Sequence, residues 1–368
     1  MLCTLIVAET RNSRLTTIPM HRAAYRLARA ASVRRPVTKA FSPGKAGPHI
    51  RLFNSRSRAS LPAMNWKKLC RRLLWTIAIV MLTATLVAGG LWWYLHPSIT
   101  RTNAVPYGQR HGKPLALDVM RPAQPNGAAV LLLVSGGWKS REPGTFGVWM
   151  AAPLLHRGYT VFPVYHVSQP EATVMEIIED MHRAVRFVRH HAADYGIDPL
   201  RIGVTGGSAG GHLSLMLATR GGPGPADATD PVDRESSAVQ ATALFFPVTD
   251  LLNLGTSTEN PGDGGPPKSF VKGFGPDATD MAKWKVIGRE SSPIYHITPA
   301  LPPVLIHHGD ADTLTPLEQT EWFRAAAEKI GRPVDVRIRK GAPHGWLTMP
   351  WDIRQFAIWF DQHLAPRT

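Results

Sequence analysis

The pattern of apolar and polar positions changes character twice along the chain. Residues 1–63 show no sustained hydrophobic period, and residues 75–95 (WTIAIVMLTATLVAGGLWWYL) then run uncharged throughout. A helix of that length, at about 1.5 Å per residue, covers a hydrocarbon core of about 30 Å. Beyond it, short apolar runs alternate with amphipathic ones. Residues 104–108 and 113–122, on either side of the turn-forming RHGK, predict a hairpin. VLLLV (130–134) and YTVFPVY (159–165) predict buried strands, with a helix over 146–156 between them. Over 174–191 the apolar positions Val174, Ile177, Ile178, Met181, Val185 and Val188 recur in steps of three and four, the spacing of one helix face. Strands over 201–205, 239–246, 304–308 and 334–339 and helices over 316–330 and 351–364 continue the rhythm. Such alternation predicts an α/β fold over 97–368, a mostly parallel central sheet with helices on both faces. Residues 249–300 interrupt it with a Gly/Pro-rich stretch of no clear period, expected to be an irregular insert such as a lid or substrate loop.

Charge separates the same regions. The formal net charge is +15, but 16 of the 42 basic residues and one of the 27 acidic ones lie in residues 1–72, which leaves 26 of each in the other 296. The large domain is thus neutral and offers no electrostatic case for a nucleic-acid partner. The two cysteines, Cys3 and Cys70, both precede the apolar run. A downstream disulfide framework, cysteine-ligated zinc site or thiol nucleophile is therefore excluded.

Lys67, Lys68, Arg71 and Arg72 stand directly before the apolar run, and the flank after it is nearly uncharged until Arg101. This bias predicts a single-pass anchor over 64–96, N-terminus cytoplasmic and the domain periplasmic or extracellular, with Trp92, Trp93 and Tyr94 as interfacial belt. The alternative is a signal peptide cleaved near Ala88, which would leave a secreted protein. Residues 1–63 read as a basic disordered leader whose composition also resembles a transit peptide, and Met64 is an alternative start. The Arg34-Arg35 pair lacks the apolar core that a twin-arginine signal needs.

The chemistry concentrates where the strand over 201–205 runs into Gly206-Gly207-Ser208-Ala209-Gly210-Gly211-His212. G-x-S-x-G at a strand-to-helix turn projects a strained serine, and small neighbours are needed because side chains at Gly206 or Gly210 would collide with strand and helix. The same turn without chemistry would be a tight turn or a phosphate cradle. A neutral hydroxyl needs a base and an acid that orients it. His344 in KGAPHGW and Asp312 in HHGDADTLTP follow predicted strands, with Asp310 as the rival acid, expected instead to shape the turn. His307, His308, His190 and His191 read as strand-end, turn or helix-end residues, and His212 as one that packs or hydrogen-bonds locally. No metal site is expected among them.

Together with YG, GKPLALDVMRP, VSGGW and FFPVTDL, these motifs resemble the α/β-hydrolase superfamily from about residue 107 to 364, in particular acetyl-esterase/lipase-like proteins, feruloyl-esterase-like domains and prolyl-oligopeptidase-type hydrolases. The resemblance implies Ser208 as nucleophile, Asp312 as acid, His344 as base, and Gly136, Gly137 and Ala209 as the oxyanion hole, without a cofactor. Ser135 stands where many relatives carry His before the glycines. Aligned on Trp138 the donors are Gly136 and Gly137; aligned on Ser135 they are Gly137 and Trp138. The expected function is a membrane-anchored serine esterase acting on small or acetyl-type esters, with lipid as the anchor's partner. The alternatives are a serine peptidase of prolyl-oligopeptidase type and a non-catalytic binding protein.

Overall fold

The computed structural model describes residues 65–366. The expected leader, the alternative start at Met64 and Cys3 lie outside the described residues. Helix α1 (Trp66–Leu95) has 30 residues, none buried, and is the one helix among those described that is long and apolar enough to cross a membrane.

The hairpin forms as β1 (Ile99–Arg110) and β2 (Lys113–Pro122), turning at His111-Gly112. β1 extends farther upstream than its sequence pattern indicates, because its pairing with β2 begins at Ile99↔Pro122. Two register shifts kink β1, between Thr102 and Val105 and between Pro106 and Gly108. There follow β3 (Ala129–Leu133), α2 (Val148–Leu155), β4 (Thr160–Val164), α3 (Val174–His190), the short α4 (Ala192–Tyr195) and β5 (Ile202–Gly207). Next come α5 (Ala209–Arg220), the short α6 (Pro231–Arg234), β6 (Ala241–Phe245), α7 (Met281–Glu290), β7 (Val304–Gly309), α8 (Leu317–Glu328), β8 (Val334–Arg339) and α9 (Met349–His363). The eight strands lie in the order β1-β2-β4-β3-β5-β6-β7-β8, antiparallel as far as β4 and parallel from there on.

Strand alternation explains the two layers. Leu131, Leu133, Phe162, Val164, Ile202 and Val204 join α3 and α5 in one core, whereas Val130, Val161, Ala241 and Ala243 join α2 and α9 in the other. Because both faces are buried, the strands read as continuous apolar runs. Truncating such a buried leucine or isoleucine to alanine costs about 2–5 kcal/mol. Helix α3 starts on a capping box, the Thr173 hydroxyl accepting from the Glu176 amide while the Glu176 carboxylate accepts from the Thr173 amide. At the far edge β8 is mostly exposed and presents Asp335, Arg337 and Arg339 to solvent.

The insert expected over 249–300 is irregular for much of its length but not throughout. It contains α7, capped by Asp280 accepting from Ala282 and Lys283, and three 3-10 turns. Of α7 only Trp284 and Gly288 are buried, so its sequence shows almost no apolar stripe.

Candidate active site

The loops after β3, β5, β7 and β8 meet at the carboxyl edge of the sheet, where open α/β sheets bind ligands. After β5 the chain turns through Ser208 at φ 56° and enters α5. A Cβ on Gly206 would stand 2.5 Å from the Gly210 backbone, and one on Gly210 would stand 2.5 Å from the Leu133 carbonyl oxygen. Glycine at both positions is therefore a condition for the turn. Hydrogen bonds from Ser208 N to Phe245 O (3.1 Å) and from Gly210 N to Ser135 O (3.1 Å) hold it against both neighbouring strands.

His344 Nε2 accepts from the Ser208 hydroxyl at 2.9 Å, and its Nδ1–H donates to Asp312 Oδ2 at 2.7 Å. Asp312 is inaccessible, whereas the His344 side chain keeps a fifth of its surface exposed. The other carboxylate oxygen accepts from the amides of Leu314 (3.0 Å) and Thr315 (2.9 Å). Burial alone would raise the Asp312 pKa, but His308 and His344 outweigh it and hold the carboxyl at about 2. His308 is buried inside β7: its Nε2–H donates to Thr315 O at 2.7 Å and lies 3.5 Å from Asp312, while Nδ1 accepts from the Thr320 hydroxyl at 2.7 Å. It closes the turn that presents Asp312. Asp310 points elsewhere, accepting from the Gly341 amide at 2.5 Å, and so joins the two loops that carry Asp312 and His344.

The two registers expected for the loop after β3 differ in whether the amide of Gly136 is a donor. Gly136 N donates to Lys139 O at 3.0 Å within the turn itself. Its amide is spent, and the expectation that Gly136 serves as a donor is corrected. Among the described residues the amides of Gly137, Trp138 and Ala209 have no acceptor. Gly137 and Trp138 both take left-handed backbone conformations, φ 55° and 56°. For tryptophan this costs on the order of 1–2 kcal/mol, and its buried side chain offsets that. The indole N–H donates to His212 Nδ1 at 3.1 Å, and the ring meets Phe270 and Phe274 edge-on at 5.4 Å.

His212 does not bond locally as its sequence position suggests. Its Nε2–H donates to Ser291 O at 2.6 Å, so one inaccessible imidazole joins α5, the loop after β3 and the end of α7. Burial drives its pKa down to about 4, which keeps Nδ1 free to accept. His166, also lowered by burial to about 4, donates from Nδ1 to Val167 O and accepts at Nε2 from the Ser135 hydroxyl, each at 2.9 Å. It fixes Ser135 at the start of the same loop. Phe246, at φ 31°, lays its ring 4.4 Å from that of His344. Sequence reasoning singled out neither His166 nor Phe246. Among the described residues no group of three or more His, Cys, Asp or Glu is placed to hold a metal ion.

This arrangement allows a hydroxyl proton to pass to an imidazole backed by a buried carboxylate, beside three unpaired amides. Known proteins with related chains are esterases. Esterase LipQ of Mycobacterium tuberculosis is 30% identical over 240 residues, covering 63% of this chain and 53% of that protein. The isoprenylcysteine alpha-carbonyl methylesterase ICME of Arabidopsis thaliana is 22% identical over 232 residues, covering 62% and 53%. The chain thus spans about half the length of these curated relatives. Among solved structures, esterase 2 of the planctomycete Thermogutta terrifontis superposes with a TM-score of 0.56 at 25% identity, over 75% of this chain and 96% of that one. The fold is that of the α/β-hydrolase esterases, and since the model of the BD-FAE family matches residues 117–326, more than half of the chain, the protein belongs to that family.

Proposed function

We propose that the protein is a membrane-anchored serine carboxylic-ester hydrolase acting on small or acetyl-type esters. The observation that carries this reading is His344, bonded to Ser208 on one nitrogen and to buried Asp312 on the other. Ser208 Oγ attacks the ester carbonyl carbon as its proton passes to His344 Nε2. The negative charge on the carbonyl oxygen is taken up by the amides of Gly137, Trp138 and Ala209, which bond to nothing else. His344 then gives the proton to the leaving alkoxide, and the acyl group stays on Ser208. Water attacks the acyl-enzyme, its proton goes to His344, and collapse returns a proton to Ser208 Oγ and frees the acid. Asp312 holds Nδ1–H in place throughout, so Nε2 stays available as the acceptor. No step calls on a cofactor.

The membrane part of the proposal is supported by α1 and by the basic residues that precede its apolar stretch. The esterase part is supported by the named relatives and by the T. terrifontis structures, one of which holds butyrate and another propionate. The test is Ser208→Ala in the full chain, assayed on nitrophenyl acetate and with a fluorophosphonate probe. Turnover and labelling should both disappear while the circular dichroism spectrum is retained. Turnover that survives in this variant refutes the assignment of Ser208.

A further inference from the structure

We propose that the catalytic domain rests on the bilayer with the amino-terminal edge of its sheet, so that Ser208 opens toward water and substrates arrive from the aqueous phase. The proposal rests on the reading of α1 as a membrane span.

Topology is the first argument. α1 ends at Leu95 and β1 begins at Ile99. The intervening His96, Pro97 and Ser98 can reach about 11 Å at full extension. Ile99 pairs with Pro122 at the end of β2, and Met120 pairs with Val161 near the start of β4. The chain therefore enters the sheet at the edge where the parallel strands begin. Ser208, Asp312 and His344 follow the opposite ends of β5, β7 and β8. The six residues of β5 put about 20 Å between those edges, at about 3.3 Å per residue.

Side chains fix the same edge to the helix. His156, the last cap of α2, donates from Nε2 to Tyr94 O at 2.7 Å, and its ring stacks 4.8 Å from that of Tyr94. Bonded neighbours continue from there: Asn126 donates to Arg157 O (2.9 Å), and Arg201 donates to Asn126 O (2.9 Å) and to Leu364 O (2.6 Å). Beside Arg201, Leu200 is 60% exposed on the rim of a cavity of about 540 Å³. An exposed leucine beside Arg201, on the edge that the span leaves from, suits a layer of phospholipid headgroups, although Arg157 on that edge is paired with Asp361 and Asp198 shares the rim. Trp92 and Trp93 mark that layer on α1 itself.

The competing surface is the rim next to His344, where Leu347 is 78% and Trp351 51% exposed. A three-residue link and the docked last turn of α1 prevent that rim from reaching the leaflet below. It stays in water, available to an incoming ester.

The experiment uses the full chain with Cys3→Ser and Cys70→Ser, carrying Leu200→Cys or Leu347→Cys labelled with an environment-sensitive fluorophore. The protein is held in phosphatidylcholine/phosphatidylglycerol vesicles with the domain outward. Brominated lipid should quench the label at position 200 and aqueous iodide the label at 347. Lipid quenching at 347, or iodide quenching at both positions, overturns the orientation. Flotation after an alkaline wash reports on the span separately: a chain left behind refutes the anchor and the proposal together. In the same vesicles a water-soluble aryl acetate should keep its rate in detergent solution, while a bilayer-embedded acetate should lose several-fold. Equal rates on both overturn aqueous access.

Discussion

On one side of Ser208 the loop after β3 is held from within the protein: Ser135 by His166, Gly136 by Lys139, the Gly137 carbonyl by Gln169, Trp138 by His212, Phe270 and Phe274. On the other side His344 sits in a loop whose following residues, Leu347 and Trp351, stand in solvent. The Asp312 carboxylate and the Phe246 ring hold the imidazole from behind. Donors that stabilise developing charge gain from being fixed beforehand, because they then need no reorganisation during the reaction. A base that must hand its proton to a departing alkoxide needs an open path on that side. The fold meets both needs by attaching the first loop to buried helices and the second to the rim.

Four measurements break or sharpen that contrast. The largest effect is expected on the open side, where a single carboxylate sets the tautomer: Asp312→Asn should lower kcat by about 10³–10⁴-fold, since the amide can present the wrong partner to Nδ1. Loss of less than tenfold would mean that some other group orients His344.

On the enclosed side, Trp138→Phe removes the indole N–H with part of the ring, and His212→Phe removes both its acceptor and the donor to Ser291 O. Each should lower kcat by about 10–10²-fold with KM little changed, below the 10²–10³ cost of deleting an oxyanion donor outright. Because both act on one bond, the double variant should lose little more than either alone. Additive losses would show that the two residues act separately.

The third effect is on stability. Burial holds His166, His212, His182 and His307 each at about 4 when folded, below the unfolded value of about 6.5. The unfolded chain therefore binds more protons between those limits, and stability falls as pH drops from about 6.5 to 4, by up to about 1.4 kcal/mol per pH unit for each imidazole. Asp312 acts with the same sign in a lower window: its stabilisation is present above about 3.8 and is lost as pH falls toward its folded value of about 2. Thermal melts across this range should show the decline, and His212→Phe should shallow it. An unchanged slope would remove the enclosed imidazole from the account.

The smallest effect belongs to the rim. Leu347→Ser should change stability by no more than about 0.5 kcal/mol, read from a denaturant midpoint. A larger loss would show that the open side is packed after all.

The sheet and the three residues joined by His344 were legible in the sequence because local constraints wrote them there. Strands buried on both faces must be apolar throughout, and the turn at Ser208 tolerates no side chain at Gly206 or Gly210. Asp312 and His344 were found from their places after predicted strands. Which amides of the loop after β3 stay unpaired was not legible, since it depends on which one the turn consumes, and Gly136 N is spent on a carbonyl three residues on. The reach of His212 to Trp138 and Ser291, 74 and 79 residues away, has no local trace. Helix α7 escaped because two buried residues cannot write a period.

The sheet is open, and its two outer strands have a consequence at high local concentration. A straight outer strand offers free amides and carbonyls to any neighbouring chain, which is how sheets polymerise edge to edge. β1 is broken twice in register and carries Pro106, which has no amide to give. β8 is exposed along most of its length and carries the charged Asp335, Arg337 and Arg339, which an added strand would have to accommodate. Neither side presents a template, so crowding leaves each molecule's strands to itself.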